Sequence, residues 1–518
     1  MLGYVRNGSK RALIKRIEEK SQKESGICPI LWIVLDEHEK EVAAGIPTRE
    51  RSSYGCVLRT CDFSSIVREG TYRLKVVLSN NEILSSEPFE IRDYPYLNDL
   101  LKRLSIFNAQ ARYAQGTESG GYYDCNSKMG EAYSHGMFLN GLCWFSVLHG
   151  TRLSHQEKKQ VFHAQRIAFD YLLKLWEKDG HFRNHAVERP FDPRNISVGD
   201  TIEAIYGLVA YLDLIGLRDP ERCTCSVYEQ LFKSYNYAQS HMQENPKYAS
   251  GQWRVPVLCH FYRISGDKKI LKMAEQAAQW ALNSFDWREN NMLGWLGIGH
   301  MEGIWMLCEI NPKFKCLNSL QDLLARQQLR LEELLMRNDY RFPPISDFEN
   351  VGRSWDNMQD VLPGIGSRHW ILNQDVLITG LDALYLACIS GRAEYEQVVS
   401  GAIGFIGGMH FGISPEMTVC PQLSTASFVA NLPYSVHPWK TWYFEMQNSL
   451  WSSVVNGYTV ENGSYFYTDT DWPQGETFIK TDGTLLRLAS LYECMMSEQK
   501  MLPDSTCWLV TTQRQQEA

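Results

Sequence analysis

The sequence lacks the features of membrane, nucleic-acid-binding and zinc-binding proteins. No stretch approaches the roughly 18 consecutive apolar residues of a membrane helix, and the start of the chain has no apolar core of signal-peptide length. No block of Lys and Arg is interleaved with aromatic residues, and the net charge of −8 argues against nucleic acid as the main ligand. The 14 cysteines are scattered without zinc-ligand spacing, so we expect reduced thiols in a cytoplasmic, soluble protein.

The composition that remains is that of a folded globular protein. Hydrophobic residues make up 44% and charged residues 22% of the 518 residues, and no low-complexity tract indicates disorder. A chain of this length exceeds one ordinary hydrophobic core, so at least two domains are expected. The modest charge favours a neutral or weakly charged ligand.

The first ninety or so residues have the pattern of short strands. Residues 30–35 form an apolar run, and in 71–78 (TYRLKVVL) apolar residues alternate with Arg73 and Lys75. GCVLR at 55–59 and PFEI at 88–91 add two further strands between polar turns. The regular spacing predicts an antiparallel β-sandwich that occupies residues 1–94.

From Tyr96 onward the apolar period is that of helices. One such helical face carries Phe169, Leu172, Leu173 and Trp176. Comparable segments begin near residues 96, 131, 155, 199, 226, 253, 268, 296, 317, 369, 394, 442 and 479. The helical segments follow one another largely in pairs, and some of them are apolar on nearly every side. This pattern predicts an inner and an outer layer of helices. We therefore expect an all-α, two-layered barrel over residues 95–518, with loops at one end lining a cleft.

Three loop segments, at 118–136, 426–442 and 469–486, couple aromatic residues to polar groups. Cleavage of a glycosidic bond requires a proton donor to the leaving oxygen and a group that steers the attacking water. Flat aromatic rings pack against sugar faces in such clefts. Asp124 and Glu476 are the carboxylates that these segments offer. The helical domain is therefore predicted to handle a carbohydrate.

Several segments together resemble glycoside hydrolase family nine across nearly the whole chain. Gly3-Tyr4, Asp62-Phe63-Ser64 and Phe89-Glu90-Ile91 are similar to segments of the immunoglobulin-like module that often precedes the family's barrel. Residues 366–387 and 408–414 resemble the family's late helix pair and the approach to its substrate-binding His motif. The resemblance implies an immunoglobulin-like sandwich at 1–94 and an (α/α)6 catalytic barrel at 95–518.

The resemblance also implies roles for individual residues. Gly120-Gly121-Tyr122-Tyr123-Asp124 resembles the family's Gly-Gly-Trp-Tyr-Asp loop, and Ser134-His135 resembles the Ser-His of one branch. Gly475-Glu476-Thr477-Phe478-Ile479 resembles the segment that carries the general acid, which implies that role for Glu476. Asp124 matches the aspartate that helps to hold the water. The candidate substrate-binding residues are Tyr122, Tyr123, Lys128, His437, Trp439 and Trp472, and no metal or cofactor is expected.

The family's catalytic base is missing. The second aspartate expected three or four residues after Asp124 is replaced by Ser127 and Lys128. Asp124 or Glu131 could take over as base in an inverting hydrolase, whose two carboxyl groups typically lie about 6.5–9.5 Å apart. Alternatively, an anionic or hydroxyl nucleophile needs no base, and Lys128 would favour a phosphate, as in a phosphorylase or transferase. A third interpretation is a protein that only binds sugar.

Each candidate also has an ordinary structural explanation. Asp124 could be a helix cap, Glu131 and Glu476 could complement helix starts, and His437 could be a hydrogen-bonded structural histidine. Lys128 is by default a solvated loop residue. The local motifs favour the active-site interpretation for Asp124 and Glu476. We therefore predict a glycosidase-like enzyme for a β-linked oligosaccharide or glycoside, with Glu476 as proton donor and Asp124 positioning or activating the nucleophile.

Overall fold

The structure is a computed structural model that describes most of the chain. The described residues are 3–17, 28–48, 51–53, 56–113, 120–124, 130–185, 198–244, 251–284, 301–337, 372–407, 429–432, 450–454, 459–461, 464–466, 478–505, 507 and 509. Within them, β-sheets at the N-terminal end are followed by a largely helical remainder. The predicted order of a β part before an α part is therefore correct.

The N-terminal strands form two sheets. Their bounds are β1 (Tyr4–Val5), β2 (Arg11–Ile17), β3 (Pro29–Asp36), β4 (Glu41–Gly45), β5 (Arg51–Ser53), β6 (Cys56–Asp62), β7 (Gly70–Leu78), β8 (Ile83–Ser85) and β9 (Phe89–Arg92). One sheet has the order β1-β9-β7-β3-β4, with β8 also paired to β7, and the other has the order β2-β6-β5. All pairings are antiparallel except β1 with β9. The strands predicted at 30–35, 55–59, 71–78 and 88–91 are confirmed as β3, β6, β7 and β9.

The alternation in β7 explains how the two sheets pack. Tyr72, Leu74 and Val76 point to one face and are buried, whereas the intervening residues are half-buried. This face shares one apolar cluster with Trp32 of β3 and Cys61 of β6, so the cluster joins both sheets. The N-terminal part is therefore a β-sandwich.

The helical part begins with two wide-turn segments, Leu97–Leu101 and Arg103–Asn108. The helices that follow are α1 (Ala109–Arg112), α2 (Ala132–His149), α3 (His155–Leu175), α4 (Val198–Leu214), α5 (Cys225–His241), α6 (Arg254–Ser265), α7 (Lys268–Ser284), α8 (Glu302–Ile310), α9 (Asn318–Arg337), α10 (Leu372–Ser390), α11 (Glu394–Ile406) and α12 (Ile479–Met496). Short 3₁₀ turns lie at Gly150–Arg152, Gly216–Arg218, Met242–Glu244 and Pro312–Cys316. Most starts agree closely with the predicted ones, but the helix expected near 296 begins at Glu302. The helix expected near 442 lies outside the described residues.

The helices differ in how completely they are buried. α3 starts with a capping box, in which the Ser154 hydroxyl accepts from the Glu157 N–H and the Glu157 carboxylate accepts from the Ser154 N–H at 2.7 Å. It buries only one stripe, which includes Phe169 and Leu172. By contrast, every residue of α4 is buried. These patterns are typical of an outer and an inner helix, respectively.

Six helices of the described chain close a ring. α2 packs against α4, α4 against α6, α6 against α8, α8 against α10, α10 against α12, and α12 returns to α2. α3, α5, α7 and α11 each pack against the ring helix that directly precedes them. The ring brings the starts of α2, α4 and α12 together.

Glycines allow the ring helices to approach closely. A Cβ on Gly136 of α2 would overlap the Glu203 carbonyl of α4, and a Cβ on Gly207 of α4 would overlap the Gly136 carbonyl. On the other side of α2, a Cβ on Gly141 would overlap the Gly483 carbonyl of α12. These backbone contacts fix the relative positions of three helices at the end where the candidate site lies.

Strands also occur late in the chain, where none was predicted. β10 (Val429–Leu432) pairs with β11 (Leu450–Val454), and β12 (Thr459–Glu461) pairs with β13 (Ser464–Phe466). β10 lies in the segment 426–442, which the sequence analysis treated as a loop. The strands are only three to five residues long, too short for a clear period-two pattern.

Candidate functional site

Two glycines shape the loop that carries Asp124. Gly120 and Gly121 have φ values of +65° and +73°, in the left-handed region that favours glycine. A Cβ on Gly121 would also lie 2.6 Å from Cγ of Tyr171. The Gly-Gly pair of the motif is therefore required by backbone conformation and, at Gly121, by close packing.

His135 connects this loop to the start of α2. Its Nε2 accepts from the Tyr122 N–H at 2.8 Å, and its Nδ1 lies 2.8 Å from the Glu131 carbonyl oxygen. These partners assign the proton to Nδ1 of a neutral ring. Burial lowers the pKa of His135 to about 4, which keeps the ring neutral at physiological pH. The Ser-His part of the motif therefore contributes a structural histidine.

The two tyrosines of the motif have different surroundings. Tyr122 is 1% exposed, its hydroxyl donates to the Ala164 carbonyl at 2.9 Å, and its ring stacks on His135. Tyr122 therefore has a packing role in the structure, and its contact with sugar stays a prediction. Tyr123 is half-buried, and its N–H donates to the Arg112 carbonyl at 2.8 Å, so its side chain stays a candidate for ligand contact.

The Asp124 carboxyl group is fully buried. Neither of its oxygens has a hydrogen-bond partner at ordinary geometry within the part of the chain that the structure describes. Glu131, Ser134 and Arg112 nevertheless lie close enough to act on it. Burial first, and the negative charge of Glu131 second, raise the pKa of Asp124 well above its usual range. The site therefore favours the neutral form of this carboxyl group.

Arg112 holds the Asp124 loop in place through hydrogen bonds to the loop backbone. Its guanidinium donates to the carbonyls of Tyr123, at 2.9 Å, and of Asp124. It also donates to Asn108 Oδ1 at 3.1 Å and lies 3.7 Å from Asp482 Oδ2. Arg112 and Asp482 are both completely buried, so the loop is tied to the interior of α12. Arg112 belongs to no local motif, so the sequence alone did not indicate its role.

The first residue of α12 also contacts the Asp124 loop through the backbone. The N–H of Ile479, the first residue of α12, donates to the Asp124 carbonyl at 3.2 Å. Glu476 precedes Ile479 by only three positions in the chain. Five predicted site residues, Glu476, Lys128, His437, Trp439 and Trp472, lie outside the described residues, and their roles stay predictions.

Charged side chains near the starts of α4 and α12 lie close to the Asp124 loop, inside the ring of helices. Lys480 Nζ of α12 lies 3.4 Å from Glu203 Oε1 of α4 and 5.1 Å from the centroid of the Tyr133 ring. Asp200, also at the start of α4, accepts from Asn184 Nδ2 at 2.9 Å. These residues were not predicted because each looks like an ordinary helical residue in the sequence. Their meeting point depends on the ring of helices.

The described residues contain neither a cluster suited to a metal ion nor a helix suited to a membrane. No group of three or more His, Cys, Asp or Glu side chains in those residues is arranged to hold a metal ion. No described helix is both long enough and apolar enough to cross a membrane.

Comparison with known proteins identifies the fold. No family sequence model matches the chain, and no curated protein matches it in sequence. Among solved structures, a Bacteroides ovatus protein of glycoside hydrolase family 9 superposes with a TM-score of 0.60 at 14% identity, covering 96% of this chain and 98% of its own. The family 9 endoglucanase J30 gives a TM-score of 0.63 at 13% identity, over 94% and 99% of the two chains.

A metagenome-derived family 9 endoglucanase is equally similar in structure. Its TM-score is 0.63 at 13% identity, and the match covers 95% of this chain and 98% of that chain. The chain therefore has a fold like that of glycoside hydrolase family nine, over nearly its whole length. This agrees with the resemblance found in the sequence motifs.

Proposed function

We propose that the protein is a glycosidase-like enzyme that cleaves a β-linked oligosaccharide or glycoside by an inverting mechanism. Its catalytic domain would be an (α/α)6 barrel at 95–518, of which the six-helix ring is the inner layer, preceded by an immunoglobulin-like domain at 1–94. The observation that carries the proposal is the buried carboxyl group of Asp124, tied through Ile479 to the segment that contains Glu476.

In the proposed reaction, Glu476 donates a proton to the leaving glycosidic oxygen while water attacks the anomeric carbon from the opposite face. Asp124 positions this water. A proton-accepting role suits Asp124 less well, because its surroundings favour the neutral form. Tyr123, Trp439 and Trp472 would pack against sugar rings, and His437 and Lys128 would bind their polar groups.

One observation favours a second candidate. Ser127 and Lys128 occupy the positions where the resembled family has its catalytic base. A nucleophile that is already anionic, such as phosphate, needs no base, and an ammonium group would stabilise it. The second candidate is therefore a phosphorylase or glycosyl-transferring enzyme with the same proton donor.

Substitution of Glu476 by Gln tests the proposal. The proton donor would be lost while the shape of the side chain is retained, so turnover of β-linked oligosaccharides should fall roughly 10²–10⁴-fold. Binding of the same sugars, measured by calorimetry, should be preserved. Glu498→Gln, at an exposed position in the same part of the chain, is the control and should keep full activity.

Each other outcome has a distinct meaning. If turnover requires inorganic phosphate, the reaction is phosphorolysis and not the proposed hydrolysis. If the wild-type protein binds sugar but does not turn it over, the proposed enzymatic activity is contradicted and the protein is a sugar-binding protein. Unchanged turnover in Glu476→Gln would contradict the role of Glu476.

A further inference from the structure

Glu131 has a defined position between the Asp124 loop and α2. It directly precedes α2 with an extended backbone (φ −97°, ψ 140°), and its side chain makes no capping hydrogen bond to the helix. Instead, one carboxylate oxygen accepts from the Tyr133 hydroxyl at 2.5 Å. Its carbonyl lies 2.8 Å from Nδ1 of His135, whose other nitrogen holds the Asp124 loop. A helix-capping role therefore does not explain this carboxylate.

Glu131 and Asp124 form a pair of carboxyl groups with unequal access to water. Asp124 is 0% exposed, whereas Glu131 is half-buried. After burial, the charge of Glu131 is the strongest influence that raises the pKa of Asp124. Both influences favour the protonated form of Asp124, because the ionised form of a fully buried carboxyl group loses more hydration. Ionisation costs less for Glu131, which keeps part of its contact with water.

The groups that face this pair come from three elements. Arg112 of α1 binds the Asp124 carbonyl, and its charge only partly offsets the effect of burial. Ser134 of α2 lies beside the Asp124 carboxyl group. Lys480 of α12 lies over the Tyr133 ring and is paired with Glu203. Ser134 and Arg112 lower the pKa of Asp124, but by less than burial and Glu131 raise it.

We propose that Glu131 is the catalytic base that replaces the aspartate missing at Ser127, and that Asp124 beside it holds the attacking water. This inference rests on the proposed glycosidase function. The water oxygen forms a bond to the anomeric carbon, and the Glu131 carboxylate takes one proton from that water. The bond from the anomeric carbon to the leaving oxygen breaks, its electron pair stays on that oxygen, and the oxygen takes the proton of Glu476. Glu131 ends protonated and Glu476 ionised, and exchange with solvent restores both.

The variant Glu131→Gln tests this role. Gln can still accept the Tyr133 hydrogen bond, but it cannot take a proton, so kcat should fall roughly 10²–10⁴-fold with little change in KM. Glu394→Gln is the control, because Glu394 is also an acid at the start of a helix but is exposed on α11. It should behave as the wild type does.

Azide separates a catalytic role from a structural one. Azide is already an anion and needs no base, so it should restore turnover in Glu131→Gln and give a glycosyl azide of inverted anomeric configuration. A structural defect would not be rescued in this way. Turnover at the wild-type rate in Glu131→Gln, or a loss that azide does not restore, would overturn the proposal.

Infrared spectroscopy tests the protonation of Asp124 without requiring activity. Buried Glu302 and Glu493 also favour their protonated forms, so the difference spectrum between the wild-type protein and Asp124→Asn at neutral pH is the informative one, and it should contain the C=O absorption of a buried carboxylic acid. An equal C=O absorption in Asp124→Asn would contradict proton retention by Asp124. Absence of turnover by the wild-type protein on every β-linked sugar would instead contradict the proposed function, and the infrared result would still decide whether Asp124 is protonated.

Discussion

His135 and Asp124 are an imidazole and a carboxyl group that burial holds neutral for the same physical reason. Burial lowers the pKa of His135 to about 4 and raises that of Asp124 well above its usual range. Neutral His135 uses Nε2 as an acceptor for the Tyr122 N–H. Protonation would turn that acceptor into a donor and break the hydrogen bond. The position of the Asp124 loop therefore depends on His135 staying neutral.

This leads to a prediction about stability and pH. Unfolded His135 has a pKa of about 6.5, so between pH 6.5 and 4 the unfolded state binds more protons than the folded state. The free energy of unfolding should therefore fall as the pH is lowered through this window, with a contribution from His135 on the order of 2 kcal/mol at pH 5. Above pH 6.5 the contribution is constant.

Denaturant unfolding at pH 7 and pH 5 measures this effect. His135→Gln removes the titrating group, so its stability should depend less on pH than that of the wild type. His38→Gln is the control, because the His38 side chain is 81% exposed. An equal pH dependence in the wild type and His135→Gln would show that His135 does not titrate as described.

The sequence was informative about site residues where the signal was local. Asp124 was found because Gly-Gly-Tyr-Tyr-Asp is a continuous motif. Arg112 and Lys480 were missed because they come from separate helices and reach the site only through tertiary packing. Tyr122 was predicted to contact substrate because aromatic residues line sugar clefts, and in the structure its buried ring packs on His135. Exposure of a side chain cannot be inferred from a motif alone.

At the scale of elements, α2 lies between two other helices that contribute residues near the site, and it contacts both of them backbone to backbone. α2 touches α4 through Gly136 and Gly207, and α12 through Gly141 and Gly483. A small displacement at either contact would move Glu203 relative to Lys480 and the start of α12 relative to Asp124. The glycines therefore connect helix packing directly to the geometry of the site.

The variant Gly136→Ala tests this connection. The added methyl group would overlap the Glu203 carbonyl and force α2 and α4 apart, so the free energy of unfolding should fall by about 1–3 kcal/mol. Gly150→Ala is the matched control, since a Cβ there would meet no atom within 4 Å and its φ of −54° suits any residue. Equal stability of the two variants in chemical denaturation would contradict the close contact.

Elements with a strong periodicity were predictable from the sequence. The helix starts at 155, 268, 394 and 479 and the strand β7 agree closely with their patterns, because long amphipathic or alternating segments carry a clear signal. β10 to β13 carried no such signal. β10 pairs with β11, which lies well separated from it in the chain, and β12 and β13 are each only three residues long.

At the scale of the whole molecule, the β part and the helical part are joined by a buried polar contact. The Glu396 carboxylate of α11 accepts from the Ser9 N–H at 2.9 Å and from the hydroxyls of Ser9 and Tyr492. Arg11 donates to the Gln397 carbonyl at 2.9 Å. The β part therefore rests on α11 and α12, and α12 also carries the residues that hold the Asp124 loop.

The chain resembles family nine structures in fold over nearly its whole length. It differs from the family's motif at the position expected for the catalytic base, where Ser127 and Lys128 stand. Structural similarity covers 94–96% of this chain, yet sequence identity is only 13–14%. An arrangement of helices can persist at this sequence identity because it depends on the volume and polarity of the core side chains. Catalysis, by contrast, depends on individual side chains in the site. The proposal to be tested is therefore that a chain with this fold cleaves β-linked sugars, with Asp124 and Glu131 in place of the family's usual pair of aspartates.

The anomeric configuration of the first product tests that claim most directly. Proton NMR of the wild-type protein acting on β-linked oligosaccharides would follow the reducing end before it mutarotates. Inverting cleavage predicts that the α-anomer appears first and then relaxes toward the equilibrium mixture. Initial release of the β-anomer, or no product from any β-linked sugar, would contradict the account.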